Sequence, residues 1–523
     1  MKLWQLPTVC LVMLAQVGFA ATYDLILRHG RVIDGTGNPA FHADVAIKAG
    51  RIAAVGRVDG TANQEIDARG LVVAPGFIDV HTHAEEIIEL PRAENFMRMG
   101  VTTLVLGNCG DSELDLGAFF RRLEQTNISA NVASLVGHNT VRRKIMGGSF
   151  DRPPTDAEMQ RMREVIAQAM RDGAIGFSTG LIYLPGTFAK TDELVELTKA
   201  IAPFDGIYAS HMRSEGREIY SALDEVFRVA REAGVRAEVS HLKLSGKAAW
   251  GQADKVLAAI ERARAGGLDI TQDQYLYTAA STGLSQLIPD KWREGGKFRE
   301  HLANPADRAQ IVAEMKRRLK ERGFADYGYV VIADCPWDRS LNGLTVVAAA
   351  KKKRGNDSLD DQAELVLDIQ SHGGADGVFH GISEEDLRQF AQHPNTMFAC
   401  DSNVREFGVG VPHPRGYGNS ARALARYVRE LKLLRLEDAV RRMTSLPAGA
   451  FRLKNRGQVR EGFAADLAVF DSAKVQDNAT FSEPHQYATG LAWVLVNGVP
   501  VVQADAHTGA RPGRVLRHGE AAP

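Results

Sequence analysis

The sequence predicts an α/β fold, because short apolar runs alternate with amphipathic helical segments through most of its 523 residues. This alternation is typical of a parallel sheet in which each strand is followed by a helix. Eight such runs can be counted, which is the number of strands that closes a (β/α)8 TIM-like barrel. Strand-rich text at both chain ends predicts a small β-sandwich domain, and a long interruption before the last strand predicts an inserted lid subdomain.

These features divide the chain into predicted parts. Residues 1–20 form a signal peptide, and residues 21–72 form the N-terminal part of the β-domain. The barrel occupies residues 73–445, and residues 446–523 complete the β-domain. An insertion at about 283–395 interrupts the barrel, because this stretch is far too long for one connection between a strand and a helix.

The eight strand ends of the predicted barrel are marked by particular residues or by the end of an apolar run. In chain order they are His81, Cys109, 132–138, 174–179, His211, His241, 269–275 and Asp401. Among the helices between them, 155–172 has the clearest start, because Thr155 stands three residues before Glu158 in a capping-box pattern.

The first twenty residues, "MKLWQLPTVCLVMLAQVGFA", have the pattern of a secretory signal. Lys2 precedes an apolar stretch that reaches about Val17, and the small residues Gly18 and Ala20 provide a cleavage site. The stretch is too short to span a membrane as a mature helix. We therefore expect a periplasmic or secreted protein with no membrane anchoring after signal cleavage.

Composition excludes several classes of protein. The chain is 45% hydrophobic and 24% charged with a formal net charge of −1, so nothing indicates a nucleic-acid-binding surface. Three cysteines remain once Cys10 leaves with the signal peptide: Cys109, Cys335 and Cys400. An odd number of scattered cysteines does not predict a disulfide scaffold, so at least one thiol is free for a metal or for catalysis.

Metal-binding side chains stand at the predicted strand ends, where barrel enzymes place their working residues. In "APGFIDVHTHAEE", two histidines stand one residue apart after an apolar run and would share a face if the strand continued. The candidate ligands are His81, His83, Cys109, His211, His241 and Asp401. Taken singly, each has a common structural explanation as a buried histidine, a small core cysteine or a helix-cap aspartate. Their shared position favours a Zn²⁺ site.

Several motifs resemble those of the amidohydrolase superfamily and, within it, the N-acyl-D-amino-acid deacylase (D-aminoacylase) family. The resemblance runs from about residue 23 to residue 501. Its carriers are "APGFIDVHTH", "GNCG", "GAIGFSTGLIYLPG", "YASHMRSEG", "EVSHLK", "DQYLYTA", "HPRGYG", "GQVREGFAADLAVFD" and "VNG". Two positions depart from the family pattern: Ala84 follows the histidine pair where aspartate is frequent, and "CDSN" replaces the frequent "SDG" near Asp401.

The resemblance implies roles for the site residues. Cys109, His211 and His241 would bind one zinc ion tightly, with the thiolate in place of a carboxylated lysine. His81 and His83 would border a second, weaker metal position. Asp401 would act as general base. The substrate's carboxylate would be held by Lys243, Tyr183, Tyr275 and Arg415.

The function implied is zinc-dependent hydrolysis of N-acyl-D-amino acids. Asp401 is the one strand-end carboxylate in the predicted cluster, so it is assigned both proton transfers. A related amidohydrolase acting on a cyclic amide or a dipeptide-like substrate is the alternative, and a non-catalytic binding barrel is a third possibility. The number of metal ions, the side-chain and acyl preferences and the oligomeric state stay open.

Overall fold

Eight parallel strands form the centre of the molecule. The computed structural model describes residues 23–520, so the predicted signal peptide at residues 1–20 lies outside the described residues. The barrel strands are β1 (Phe77–Asp79), β2 (Val101–Leu106), β3 (Asn131–Ser134, resumed at Val136–Gly137), β4 (Gly176–Gly180), β5 (Ile207–His211), β6 (Arg236–Val239), β7 (Ile270–Gln274) and β8 (Thr396–Phe398). Their number and parallel order confirm the predicted fold class.

The barrel closes between its first and last strands, just beyond their carboxyl ends. Thr82 and Ser402 form a parallel bridge, and the Asp401 N–H donates to the carbonyl oxygen of His81 at 2.9 Å. The His83 N–H donates to the carbonyl oxygen of Ser402 at 3.0 Å. The closure therefore brings together two segments that the sequence predicts to carry functional residues.

Helices surround the barrel and connect its strands. Helix Asp156–Arg171 begins at the predicted cap, where the side chains of Thr155 and Glu158 form the reciprocal capping box. The α-helices of the described chain are Glu94–Met97, Leu116–Thr126, His138–Met146, Asp156–Arg171, Thr191–Thr198, Ile219–Ala233, Ala253–Ala265, Phe298–Ala303, Pro305–Glu321, Val346–Arg354, Leu359–Ser371, Glu384–Gln392, Arg415–Arg422, Leu436–Met443 and Ser445–Ala450. Within residues 23–520, no helix has the length and apolar character needed to cross a bilayer.

Strands from both chain ends pair in one nine-stranded sheet beside the barrel. These strands are Tyr23–Val32, Phe41–Lys48, Arg51–Gly56, Ala62–Asp67, Val72–Pro75, Leu467–Phe470, Leu491–Val496, Val499–Gln503 and Ala506–His507. The two halves join where Val72–Pro75 runs antiparallel to Leu467–Phe470. Leu27, Val45 and Leu467 belong to one buried apolar cluster, so side chains from both ends of the chain share a core.

The apolar run before the histidine pair divides between two sheets. Val72–Pro75 belongs to the sheet of the chain ends, whereas Phe77–Asp79 belongs to the barrel. Gly76 is the junction, and a Cβ atom there would lie only 2.3 Å from Oγ1 of Thr102. The dipeptide Pro75-Gly76 therefore marks the passage from one sheet to the other.

The segment between β7 and β8 forms a small subdomain around its own core. Its three strands are Ala280–Gly283, Val330–Asp334 and Asp376–Phe379, all paired antiparallel. Its buried cluster includes Leu284, Ile311, Ile332, Val346 and Val366. Helix Glu384–Gln392 lies inside the range expected for the insertion, but it packs on the barrel helix Ala253–Ala265.

We expect Leu467→Ala to destabilise the protein by about 2–5 kcal/mol, because it leaves a cavity in the core that both chain ends share. Leu467 has no solvent-exposed surface. Val499→Ala is the control, since Val499 lies in the same sheet but is 41% exposed. This variant should lose less than about 0.5 kcal/mol in its free energy of unfolding. Denaturant unfolding of both variants measures the difference, and equal midpoints would contradict the shared core.

Candidate metal centre and active site

A thiol and two imidazoles converge at the carboxyl ends of three barrel strands. Sγ of Cys109 lies 3.6 Å from Nδ1 of His211 and 3.6 Å from Nε2 of His241. Tetrahedral zinc, with Zn–S near 2.3 Å and Zn–N near 2.0–2.1 Å, separates sulfur and nitrogen ligands by about 3.6 Å. All three residues are buried. These side chains therefore offer three of the four ligands of a tetrahedral metal ion.

The histidine pair lies next to Cys109 and Asp401. Nε2 of His81 is 3.3 Å from Sγ of Cys109 and 3.7 Å from Oδ1 of Asp401. Nε2 of His83 is 3.3 Å from the same Asp401 oxygen. Ligand atoms of His81, His83 and Cys109 lie within 4.8 Å of one another, so these residues outline a second metal position that shares the thiol. The structure thus brings together all six residues predicted as metal ligands.

The backbone at three of these residues adopts the left-handed conformation. The φ angles are 52° at Cys109, 37° at His241 and 50° at Asp401. Positive φ is uncommon outside glycine and clusters at functional sites. Each residue stands two or three positions beyond the end of β2, β6 or β8, so the chain turns sharply where it leaves the barrel.

Burial sets the protonation of the metal-binding groups. It lowers the pKa of His211 and of His241 well below the usual value, which leaves both imidazoles neutral at pH 7. Neutral imidazole is the form that binds a metal ion. Burial raises the pKa of the Cys109 thiol well above its usual value, so a metal ion must displace a proton to bind there.

Asp401 is held as a carboxylate by Arg415 and by the neighbouring imidazoles. Burial by itself would raise the pKa of Asp401, but the Arg415 guanidinium and the imidazoles of His81 and His83 hold that pKa well below its usual range. Nη1 of Arg415 lies 2.9 Å from Oδ2 of Asp401. The candidate base is therefore ionised at neutral pH, as a proton acceptor must be.

The expectation that Asp401 is the one strand-end carboxylate in the cluster was wrong. Asp273, in β7, places Oδ2 3.1 Å from Nδ1 of His81 and accepts a hydrogen bond from the His241 backbone at its other oxygen. Burial and the charge of Asp273 raise the pKa of the neighbouring Glu238 well above its usual value. Asp273 lies in the text "LDITQDQYLY", where polar and apolar residues are mixed, so no clear pattern marked it.

Glu215 is a second residue that the sequence analysis missed. It lies in the loop after β5, where its carboxylate contacts Nζ of Lys243 and lies 3.0 Å from Nδ1 of His241. The motif "SHMRSEG" contains it, but nothing in that text shows that the loop folds back onto the strand-six segment.

The four residues predicted to bind the substrate lie around the same site. The Arg415 guanidinium carbon is 4.5 Å from the centre of the Tyr275 ring, and Nζ of Lys243 is 5.6 Å from it. The Tyr183 ring lies 4.9 Å from the His211 ring. Thr282 of the insertion donates a hydrogen bond to the hydroxyl of Tyr183 at 3.3 Å. The Tyr275 hydroxyl is buried and has no hydrogen-bond partner among residues 23–520, so it is free to bind a ligand.

Comparison with known proteins gives relatives over nearly the whole chain. Residues 64–502 match the amidohydrolase family. The chain is 37% identical to the D-aminoacylase of Alcaligenes xylosoxydans xylosoxydans, over 94% of this chain and 97% of that protein. It is 35% identical to the N-acyl-D-glutamate deacylase of the same organism, over 94% and 96% of the two chains.

Solved structures agree with these relatives. A crystal structure of D-aminoacylase superposes with a TM-score of 0.81 at 34% identity, covering 95% of this chain and all of that chain. N-acyl-D-glutamate deacylase from Bordetella bronchiseptica, complexed with zinc and a phosphonate inhibitor, superposes with a TM-score of 0.82 at 33% identity over the same shares. The chain therefore belongs to the amidohydrolase family and, within it, to the D-aminoacylase group.

Proposed function

We propose that the protein is a zinc-dependent hydrolase that cleaves the amide bond of N-acyl-D-amino acids to a carboxylate and a D-amino acid. The observation that carries this proposal is the convergence of Cys109, His211 and His241 beside the ionised Asp401. The relatives support the substrate class, since three of them are a D-aminoacylase, an N-acyl-D-glutamate deacylase and an N-acyl-D-aspartate deacylase.

The donor set favours zinc. One thiolate and two imidazoles are ligands that Zn²⁺ prefers, and an open fourth position is typical of its catalytic sites. Cys109, His211 and His241 would hold one ion tightly, and His81 and His83 would border a weaker second position. Bound zinc supplies a Lewis acid that polarises the amide carbonyl and lowers the pKa of water to about 7.

The protein's own residues supply the proton transfers and the orientation of the substrate. Asp401 accepts a proton from the attacking water and passes it to the departing amine nitrogen. Arg415 offers a planar fork to the substrate's carboxylate, Lys243 adds a point charge, and Tyr275 donates from its free hydroxyl. Tyr183 forms a wall of the site beside His211. We further propose that the protein works in the periplasm or outside the cell, as the first twenty residues suggest.

A cyclic amide or a dipeptide-like substrate is the second candidate. The two cations beside Tyr275 favour a substrate that carries a free carboxylate, which a cyclic amide lacks until it is opened. The presence of every predicted ligand and of the base argues against a non-catalytic binding barrel.

We expect the purified, zinc-loaded protein to hydrolyse N-acetyl-D-methionine and other N-acetyl-D-amino acids, and their L enantiomers far more slowly. A paired screen of D and L substrates with ninhydrin detection of the released amine measures this. Hydrolysis of cyclic amides without turnover of any N-acyl-D-amino acid would favour the second candidate instead.

Loss of the thiol should remove the tightly bound ion. We expect Cys109→Ala to contain less than about a tenth of the zinc of the unmodified protein. The substitution removes the thiolate, which is a ligand that zinc prefers and is the group that both metal positions share. His83→Ala should keep about one equivalent, since His83 borders only the second position. Metal analysis of both variants after dialysis measures the difference in zinc content. Equal zinc contents in the two variants would contradict the assignment of the tight site.

Removing the charge of Asp401 should separate metal binding from catalysis. We expect Asp401→Asn to keep its zinc and to lose about 10²–10⁴-fold in kcat, because the amide cannot accept the water's proton. Glu406→Gln, an exposed change in the loop that follows Asp401, is the control and should retain full activity. A fully active Asp401→Asn variant would refute the base assignment.

A further inference from the structure

One buried carboxylate oxygen faces three residues of the site. Oε1 of Glu215 contacts Nζ of Lys243, lies 3.0 Å from Nδ1 of His241 and lies 3.9 Å from Nε2 of His211. The Glu215 side chain is 9% exposed, so these side chains take the place of water around it. In each histidine ring, Glu215 is near one nitrogen and Cys109 is near the other.

The tautomer of His241 follows from these contacts. Nε2 of His241 faces Sγ of Cys109, and a metal ion held there needs the lone pair of Nε2, so Nδ1 carries the hydrogen. Nζ of Lys243 lies 2.9 Å from Nδ1, but an ammonium group cannot accept a hydrogen bond. Glu215 is therefore the residue that accepts the hydrogen bond from Nδ1 of His241. The same oxygen, Oε1, also contacts Nζ of Lys243.

The loop that carries Glu215 is tied to the segment that carries Lys243. The Ser245 N–H donates to the backbone carbonyl oxygen of Glu215 at 2.7 Å. Within the same loop, the Gly216 N–H donates to Oγ of Ser214 at 3.2 Å. These bonds fix the carboxylate between the loop after β5 and the segment after β6, although 28 residues separate Glu215 from Lys243.

We propose that Glu215 is a positioning residue that orients His241 toward the metal ion and Lys243 toward the substrate's carboxylate. The part concerning Lys243 rests on the proposed function, whereas the part concerning His241 requires only that the site binds a metal ion. Carboxylates that accept from a ligating imidazole fix its orientation and raise its basicity, and their loss typically costs 10–100-fold in metal affinity. A residue that only filled space would not affect both metal binding and substrate binding.

Zinc affinity tests the first part without any substrate. We expect Glu215→Ala to bind zinc about 10–100-fold more weakly than the unmodified protein, measured by competition with a chromogenic chelator. Glu218→Gln is the matched control, because Glu218 lies three residues further along the loop and is exposed. If Glu215→Ala does not fold, Glu215→Gln keeps the side-chain volume and decides the question. Affinities within twofold of the control in the folded variant would overturn the proposal.

Substrate binding tests the second part at saturating zinc. We expect Glu215→Gln and Lys243→Ala each to raise KM for an N-acetyl-D-amino acid several-fold, with a smaller change in kcat. In the double variant the increases should not multiply, because both changes disable the same cation. Multiplied increases would show that Glu215 acts independently of Lys243. If the protein hydrolyses no such substrate, the proposed function fails while the zinc measurement still tests Glu215.

Discussion

The metal site depends on three residues held in a backbone conformation that their side chains disfavour. Left-handed geometry costs a residue other than glycine about 1–2 kcal/mol, and it occurs at Cys109, His241 and Asp401. Hydrogen bonds from the backbone N–H offset part of this cost at two of them: the His241 N–H donates to the carboxylate of Asp273, and the Asp401 N–H donates to the carbonyl of His81. The second bond belongs to the barrel closure. Hydrogen bonds of the fold therefore help to stabilise the strained backbone of the site.

The site also balances buried charges in pairs. Asp401 faces Arg415, and Glu215 faces Lys243, so no carboxylate of the two pairs is left without a cation. Unpaired burial of such groups would cost several kcal/mol each. Glu238 meets the same constraint by another route, because burial and the neighbouring carboxylate of Asp273 raise its pKa well above the usual value, which favours its neutral form. Since Arg415 and Lys243 are held by acidic partners, both cations are in place before a substrate arrives.

The sequence was sufficient for the barrel and for the six candidate ligands, because a ligand that directly follows an apolar run can be located from strand periodicity alone. His81 and Cys109 are of this kind. Asp273 instead stands inside a strand, Ile270–Gln274, whose residues are mostly polar, so no apolar run marked its position. Glu215 depends on how a loop folds back onto another segment, which periodicity does not encode. The split of one apolar run at Gly76 likewise depends on a tertiary contact, with Thr102.

The barrel and the insertion contribute different parts of the site. All six candidate metal ligands belong to the barrel strands or to the residues directly after them. The insertion instead reaches residues that are predicted to bind the substrate: its Thr282 donates to Tyr183, and the backbone carbonyl of its Ser281 accepts from Arg415 at 3.4 Å. Because the insertion has its own apolar core, its sequence can change without disturbing the candidate metal ligands. Selectivity among acyl-amino acids can therefore vary in the insertion while the hydrolytic chemistry stays fixed in the barrel.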